Sequence, residues 1–145
     1  MIILFEDYKT EMFDTVMALR QAVFVDEQGA DSSAVADEFD KLPSTRFALN
    51  IDSDTKCAVA TGRLTEYKDG CKLGRIAVLP SERGKGTGKK TVEFLCRAAE
   101  DMGAERVYVN AQLHAVPFYE KLGFKPTGED EITDIGITHL PMVKE

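Results

Sequence analysis

Two rhythms of apolar positions alternate along the chain. Ile2 to Phe5 is a short apolar run that predicts a strand. From Thr10 onward, Met12, Phe13, Val16, Met17, Leu19, Ala22 and Val23 recur at steps of three and four, predicting a helix capped by Thr10 with one buried face. That helix is expected to stop at Phe24-Val25-Asp26-Glu27-Gln28-Gly29. The period then shortens to two. Arg46 to Ile51 alternates like a half-buried strand, Asp52 to Thr55 is a polar turn, and Cys57 to Leu64 runs back as the partner of a hairpin. Tyr67-Lys68-Asp69-Gly70 makes a second turn into a strand from Cys71 to Leu79. Helical spacing returns from Lys89, where Val92, Leu95, Cys96, Ala99 and Met102 share a face, Glu93, Arg97, Glu100 and Asp101 lie opposite, and Gly103 is the stop.

Arg106 to Asn110 follows as a strand, so strand, helix and strand make a right-handed crossover and the two strands lie parallel. Ala115 to Gly123 predicts a short helix with Pro117 in its first turn. Phe124 to Thr127 and Ile137 to Val143 are the last strands, separated by Glu129-Asp130-Glu131. The expected fold is α/β of the mixed α+β kind: one domain over residues 1–145, with an antiparallel N-terminal meander, a splayed parallel pair in the middle and helices on both faces of the sheet. Parallel strands that part after a bulge leave unpaired backbone groups, and an extended ligand bearing amides can fill the gap as a pseudo-strand.

Composition narrows the partners. The 145 residues suffice for one real core, and 43% hydrophobic with 30% charged residues describes an ordinary soluble globular protein. A formal net charge of -7 argues against nucleic acid, and no run approaches the ~20 apolar residues of a membrane helix. Met1 to Phe5 is too short, and too quickly followed by Glu6 and Asp7, for a signal peptide. Cys57, Cys71 and Cys96 are odd in number and lack metal or redox spacing, and two histidines argue no metal site, so reduced thiols in the cytoplasm are the expectation. Between Asp26 and Asp40 stand six acids and no Lys or Arg. This segment is either a solvated loop with a helical turn or an acidic wall that draws a cationic amine.

The one basic concentration is Arg83-Gly84-Lys85-Gly86-Thr87-Gly88-Lys89-Lys90, after an Ile76-Ala77-Val78 strand and Pro80. Three glycines in five residues at a helix start form an anion cradle of main-chain amides, supplemented by Arg83, Lys85, Lys89 and Lys90. The triphosphate loop needs one more residue between its glycines, and the dinucleotide fingerprint needs glycine where Lys89 stands. Arg/Gln-x-x-Gly-x-Gly/Ala does fit, and here the sequence resembles the GNAT N-acyltransferase superfamily. Phe118-Tyr119-Glu120-Lys121-Leu122-Gly123-Phe124 resembles a second signature of that superfamily, with Ala115 four places before Tyr119. The flanks, Leu19-Arg20, Val23-Phe24-Val25, Glu27-Gln28 and Gly136-Ile137-Thr138-His139 with Met142, look like a group of small bacterial members of largely unassigned substrate. Thr138 departs from the Pro usual there, and Gln112 from a cofactor-contacting Asn.

The resemblance implies acetyl-CoA as cosubstrate, no metal, and transfer of its acetyl group to a primary amine of a small molecule or protein by direct attack through a tetrahedral intermediate. It implies coenzyme contacts from Ile76, Ala77 and Val78, from Arg83, Gly84, Lys85, Gly86, Thr87, Gly88 and Lys89, and from Asn110, Gln112 and Phe118. Tyr119 resembles the general acid that protonates the departing thiolate. Gln28, Asp37 and His139 are acceptor-side candidates. The amine must arrive neutral, and the strand from Cys71 to Leu79 carries no carboxylate to take its proton. Glu27 or Asp37 through water, and His139, are the alternatives for a base. A coenzyme-binding sensor or partner-binding module without turnover is the competing function, and the oligomeric state stays open, a homodimer included.

Overall fold

In the computed structural model, which describes residues 1–145, eight strands form one mixed sheet. They are β1 (Ile2–Phe5), β2 (Arg46–Ile51), β3 (Ala58–Tyr67), β4 (Gly70–Val78), β5 (Val107–Gln112), β6 (Lys125–Pro126), β7 (Ile132–Asp134) and β8 (Ile137–Lys144). Their spatial order is β1-β2-β3-β4-β5-β8-β6, with β7 paired to β8. Only β4 and β5 run parallel; every other pair is antiparallel. The meander and the parallel pair expected from the sequence are both present. β7 was not anticipated: Ile135 and Gly136, both at positive φ (49° and 75°), form the tight turn that folds it onto β8.

The period-two alternation of β2 separates two cores. Phe47 and Leu49 face Val16 and Leu19 of the first helix, α1 (Glu11–Arg20), whereas Ala48 faces Val92 and Leu95 of the second, α2 (Thr87–Asp101). The two helices therefore cover opposite faces. Each fully buried leucine or valine in those layers contributes about 1.5–3 kcal/mol, and Val16, Val92 and Leu95 are at 0% exposure.

Some details differ from expectation. The first helix stops at Glu27, within the stretch expected to end it, but its last part, Gln21–Glu27, widens into a π-helix, with Gln28 N–H donating five residues back to Val23 O at 3.2 Å. α2 begins at Thr87, inside the glycine loop, and Met102 caps its end at 41% exposure instead of joining the buried face. The acidic segment holds two 3₁₀ turns, Ser32–Ala34 and Glu38–Lys41. A short third helix, α3 (Val116–Lys121), starts with Pro117 in its first turn, as expected.

Candidate active site

The sheet opens in its middle. β4 and β5 pair only from Cys71 to Leu73 and from Val107 to Val109. Just beyond, Thr61 lies opposite Ala77 while Arg63 lies opposite Gly74, so Arg75 and Ile76 together face Gly62. Arg75 takes φ +49° at this bulge, and β4 bends away from β5. The facing edges of Gly74–Val78 and Asn110–Gln112 are left unpaired with each other, and a cavity of about 860 Å³ occupies the gap. Leu79 N–H donates to Val59 O at 3.0 Å, so by antiparallel alternation the Val78 N–H points into the gap. Ile76 and Val78 line it; Ala77 does not, because its side chain packs with Val23 and Phe24.

At one mouth of the cavity lies the glycine loop. No backbone amide from Gly84 to Lys89 has a protein acceptor, and the first internal bond is Lys90 N–H to Gly86 O at 3.0 Å. Gly84 and Gly86 sit at φ +79° and +81°, and a Cβ built on either meets nothing within 4 Å, so the space over the loop is open. Gly88 is close-packed: its Cβ would lie 3.4 Å from Val78 Cγ2 and 3.5 Å from Phe118 Cζ. An unpaired run of donors at the start of a 15-residue helix fits a diphosphate. Two of the four expected cations are engaged elsewhere. Arg83 makes a bidentate pair with Glu27, both bonds at 2.6 Å, and donates to Val78 O at 3.0 Å, while Lys85 pairs with Glu82 and lies off the wall. Lys89 is on the wall without an ion pair.

Deep in the gap, Tyr119 is 5% exposed, set edge-on between Phe118 and Phe124 at 5.0 and 5.5 Å between centroids. Burial pushes its phenol well above the ordinary range, and no hydrogen bond lowers it again. The group remains protonated at any physiological pH, with its ring on the cavity wall. Gln28 and Gln112, 84 residues apart, exchange amide hydrogen bonds of 3.0 and 2.9 Å across the cavity wall. His139, opposite Gln112 in the register of β5 and β8, is 6% exposed, and its Nδ1 is 2.7 Å from Ile137 O. A carbonyl only accepts, so Nδ1 carries the proton and Nε2 carries the lone pair. Burial lowers this imidazole's pKa from the usual 6.5.

The other end of the cavity is a lattice of side-chain charges. Asp40 takes both Arg20 guanidinium nitrogens at 2.9 Å and Arg63 at 3.1 Å; Asp37 takes Arg63 at 2.6 Å and Arg75 at 3.2 Å; Asp134 takes Arg75 at 2.7 Å. Arg75 also donates to Val35 O at 3.0 Å, tying the acidic segment to the bulge. Of the two readings of this segment, a loop with helical turns or an open acidic wall, the fold presents the first. Asp37 and Asp40 are matched by arginines, Asp31 caps Ser33, and Glu27 is held by Arg83 away from the cavity wall. The Arg83 hydrogen bonds keep the Glu27 carboxyl below its ordinary range. Sequence reasoning missed Arg20, Arg63, Arg75 and Asp134, which are up to 59 residues distant from their partners; the one local signal was Gly74 inside a strand, a mark of a bulge.

A mixed sheet split at a bulged parallel pair, with an amide cradle at the split, suits an extended ligand that carries a diphosphate. The comparisons with known proteins agree. The family description "Acetyltransferase (GNAT) domain" matches residues 8–145, and the chain belongs to that family. A Bacillus subtilis protein, "Uncharacterized N-acetyltransferase YjcF", is 38% identical over 136 residues, covering 93% of this chain and 94% of its own. Among solved structures, Escherichia coli ElaA superposes with a TM-score of 0.86 at 24% identity, covering 100% of this chain and 99% of its own. An aminoglycoside 6'-N-acetyltransferase complexed with coenzyme A gives 0.75 at 18%, covering 99% and 96%. These two likenesses establish the fold. The protein is an acyltransferase of a family that uses acetyl-CoA and transfers acyl groups to amines.

Proposed function

We propose that this protein is an N-acetyltransferase that moves the acetyl group of acetyl-CoA to a primary amine by direct attack. The observation that carries this reading is the continuity of one cavity, from the unpaired amides of Gly84 to Lys89, past the free edges of β4 and β5, to Tyr119. When bound, the coenzyme supplies a thioester, an acyl group already activated toward an amine. The Gly84–Lys89 amides, with Lys89, hold its diphosphate, and Ile76, Val78, Asn110 and Gln112 offer strand edges to its amide-bearing arm. Val78 N–H is the donor for the oxygen on which negative charge develops. Tyr119, kept protonated by burial, acts on the leaving sulfur by donating a hydrogen bond to it as negative charge develops there, and the thiolate takes its proton from water.

For the base, His139 is the choice among the alternatives. Glu27 and Asp37 are both committed to arginines, whereas Nε2 of His139 is an unprotonated nitrogen on a cavity-lining ring. Because burial lowers its pKa from 6.5, the neutral, working form prevails at pH 7. The acidic limb of kcat/KM should therefore fall only below that ordinary value, and His139→Gln should flatten it. The deciding experiment measures coenzyme A binding by calorimetry and free thiol release from acetyl-CoA across an amine panel. Tyr119→Phe should lower kcat about 10²–10³-fold with coenzyme affinity nearly unchanged. Binding without turnover of any amine would overturn the transferase reading, and absence of binding would overturn the cradle.

A further inference from the structure

Resting on the coenzyme assignment above, we propose that the acceptor is an elongated amino acid, its reactive amine at the Val78 end and a carboxylate seated on Lys72 at the far end of the same cavity.

The charge lattice leaves Lys72 unmatched. Arg20, Arg63 and Arg75 are balanced by Asp37, Asp40 and Asp134, three cations by three anions. Lys72 lies beside this set on the cavity wall, on β4 across from Thr65 of β3, and has no carboxylate within ion-pairing distance. Its ammonium stands 4.4 Å from the centroid of the Tyr67 ring, which also lines the cavity. A cation–π contact only partly replaces water. Burial accordingly lowers the Lys72 pKa from its ordinary value, against the raising influence of Asp134 and Glu129, with Arg63 and Lys68 opposing it further. Of these two carboxylates, Asp134 is already bound by Arg75 and Glu129 faces Lys68 at 3.7 Å. An incoming carboxylate would supply Lys72 with the partner that the fold withholds; a second ammonium would be repelled by Lys72 and could turn only to Glu66, the one carboxylate on the cavity wall that no cation holds.

Shape adds the length. Lys72 is six residues along β4 from Val78, roughly 20 Å at ~3.3 Å per residue before the bulge and the lysine stem shorten the span. Phe39 and Ile132, large apolar side chains left 45% and 40% exposed, flank the same cavity and would cover an aliphatic middle. An α-amino group, next to its own carboxylate, does not reach both ends; the reactive amine must be the distal one.

The test uses three ligands of equal length and different tails: ω-aminooctanoate, octylamine and octanediamine. Each is titrated by calorimetry into the full chain saturated with coenzyme A, and each is assayed with acetyl-CoA. ω-Aminooctanoate should bind at least tenfold tighter than the other two and show the highest kcat/KM. Lys72→Met should erase its advantage over octylamine, and Lys72→Arg should restore most of it, with coenzyme affinity unchanged in both. Equal binding of the three, preference for the diamine, or no measurable binding would overturn the proposal while leaving the coenzyme reading intact. Failure of the wild-type chain to bind coenzyme A would overturn both.

Discussion

The two ends of the cavity are built from different materials. At the glycine loop the recognition groups are main-chain N–H donors without partners, from Gly84 to Lys89. At the other end nearly every polar group is a side chain that is already spoken for, through the chain Arg20–Asp40–Arg63–Asp37–Arg75–Asp134. The first end leaves a run of amide donors open to an anion. The second uses its charges to hold the acidic segment and β7 against the bulged strand, so its selectivity resides in what that lattice leaves over.

The largest expected effect breaks the second end. Arg20 is fully buried, and Asp40 is its only carboxylate. Asp40→Asn should cost about 3–5 kcal/mol of stability, the usual penalty for stranding a buried charge, read as a shift in urea midpoint at unchanged slope. In the parent, burial alone would raise the Asp40 pKa, but the Arg20 hydrogen bond and the Arg20 and Arg63 charges outweigh it and the net shift is downward. A depressed carboxylate contributes stability above its unfolded pKa of ~3.9 and loses it as pH falls through the folded value. The variant should therefore show a flatter acid limb as well as a lower plateau.

Next in size is Gly86→Val, which breaks the first end. Nothing in the protein lies within 4 Å of the added Cβ, so the fold should lose only about 1–3 kcal/mol from backbone strain at φ +81°. Coenzyme A affinity should fall at least ~100-fold, about 2.7 kcal/mol, because the side chain fills the space over the amides. Gly128→Val, at φ +92° and equally open, carries the strain without the site. It should match the stability loss and leave calorimetric affinity untouched.

The same contrast explains what could be read from the chain before folding. The cradle was legible because its parts are local: three glycines in five residues, a preceding strand and a following amphipathic helix write one structure within about 20 residues. Phe118 and Tyr119, both on the cavity wall, were singled out because the contiguous run from Phe118 to Phe124 resembles a family signature. The charge lattice was not, since Arg20, Asp40, Arg63, Arg75 and Asp134 come from five separate elements or turns and no periodicity links them. The acidic segment could be read as an exposed wall because the arginines that meet Glu27, Asp37 and Asp40 come from α1, β3, β4 and the loop after β4, and no periodicity announces them. Glu27 likewise appeared free to act as a base, and its tether to Arg83, 56 residues on, became visible only when the π-helical stretch carried it past the end of β4. Even the early start of α2 at Thr87 follows from context, because Gly86 in the left-handed region can precede a helix without a side-chain cap.

Glu27 is where the two ends meet, and it yields the smallest predicted effect. Its ion pair with Arg83 is 36% and 43% exposed, so it is worth only ~0.2–1 kcal/mol to stability. Its more important consequence is competition, since the carboxylate occupies the guanidinium that borders the diphosphate cradle. Glu27→Gln should free Arg83 and tighten coenzyme A binding a few-fold, with a steeper dependence on salt, because one more exposed cation then faces the phosphates. It should leave kcat within about twofold. A base would behave otherwise: its loss would lower kcat ~10²–10⁴-fold and remove an ionisation from the pH profile. Stopped-flow single turnovers with saturating acetyl-CoA separate the two outcomes, because a change confined to coenzyme affinity vanishes at saturation whereas a lost proton acceptor slows every turnover.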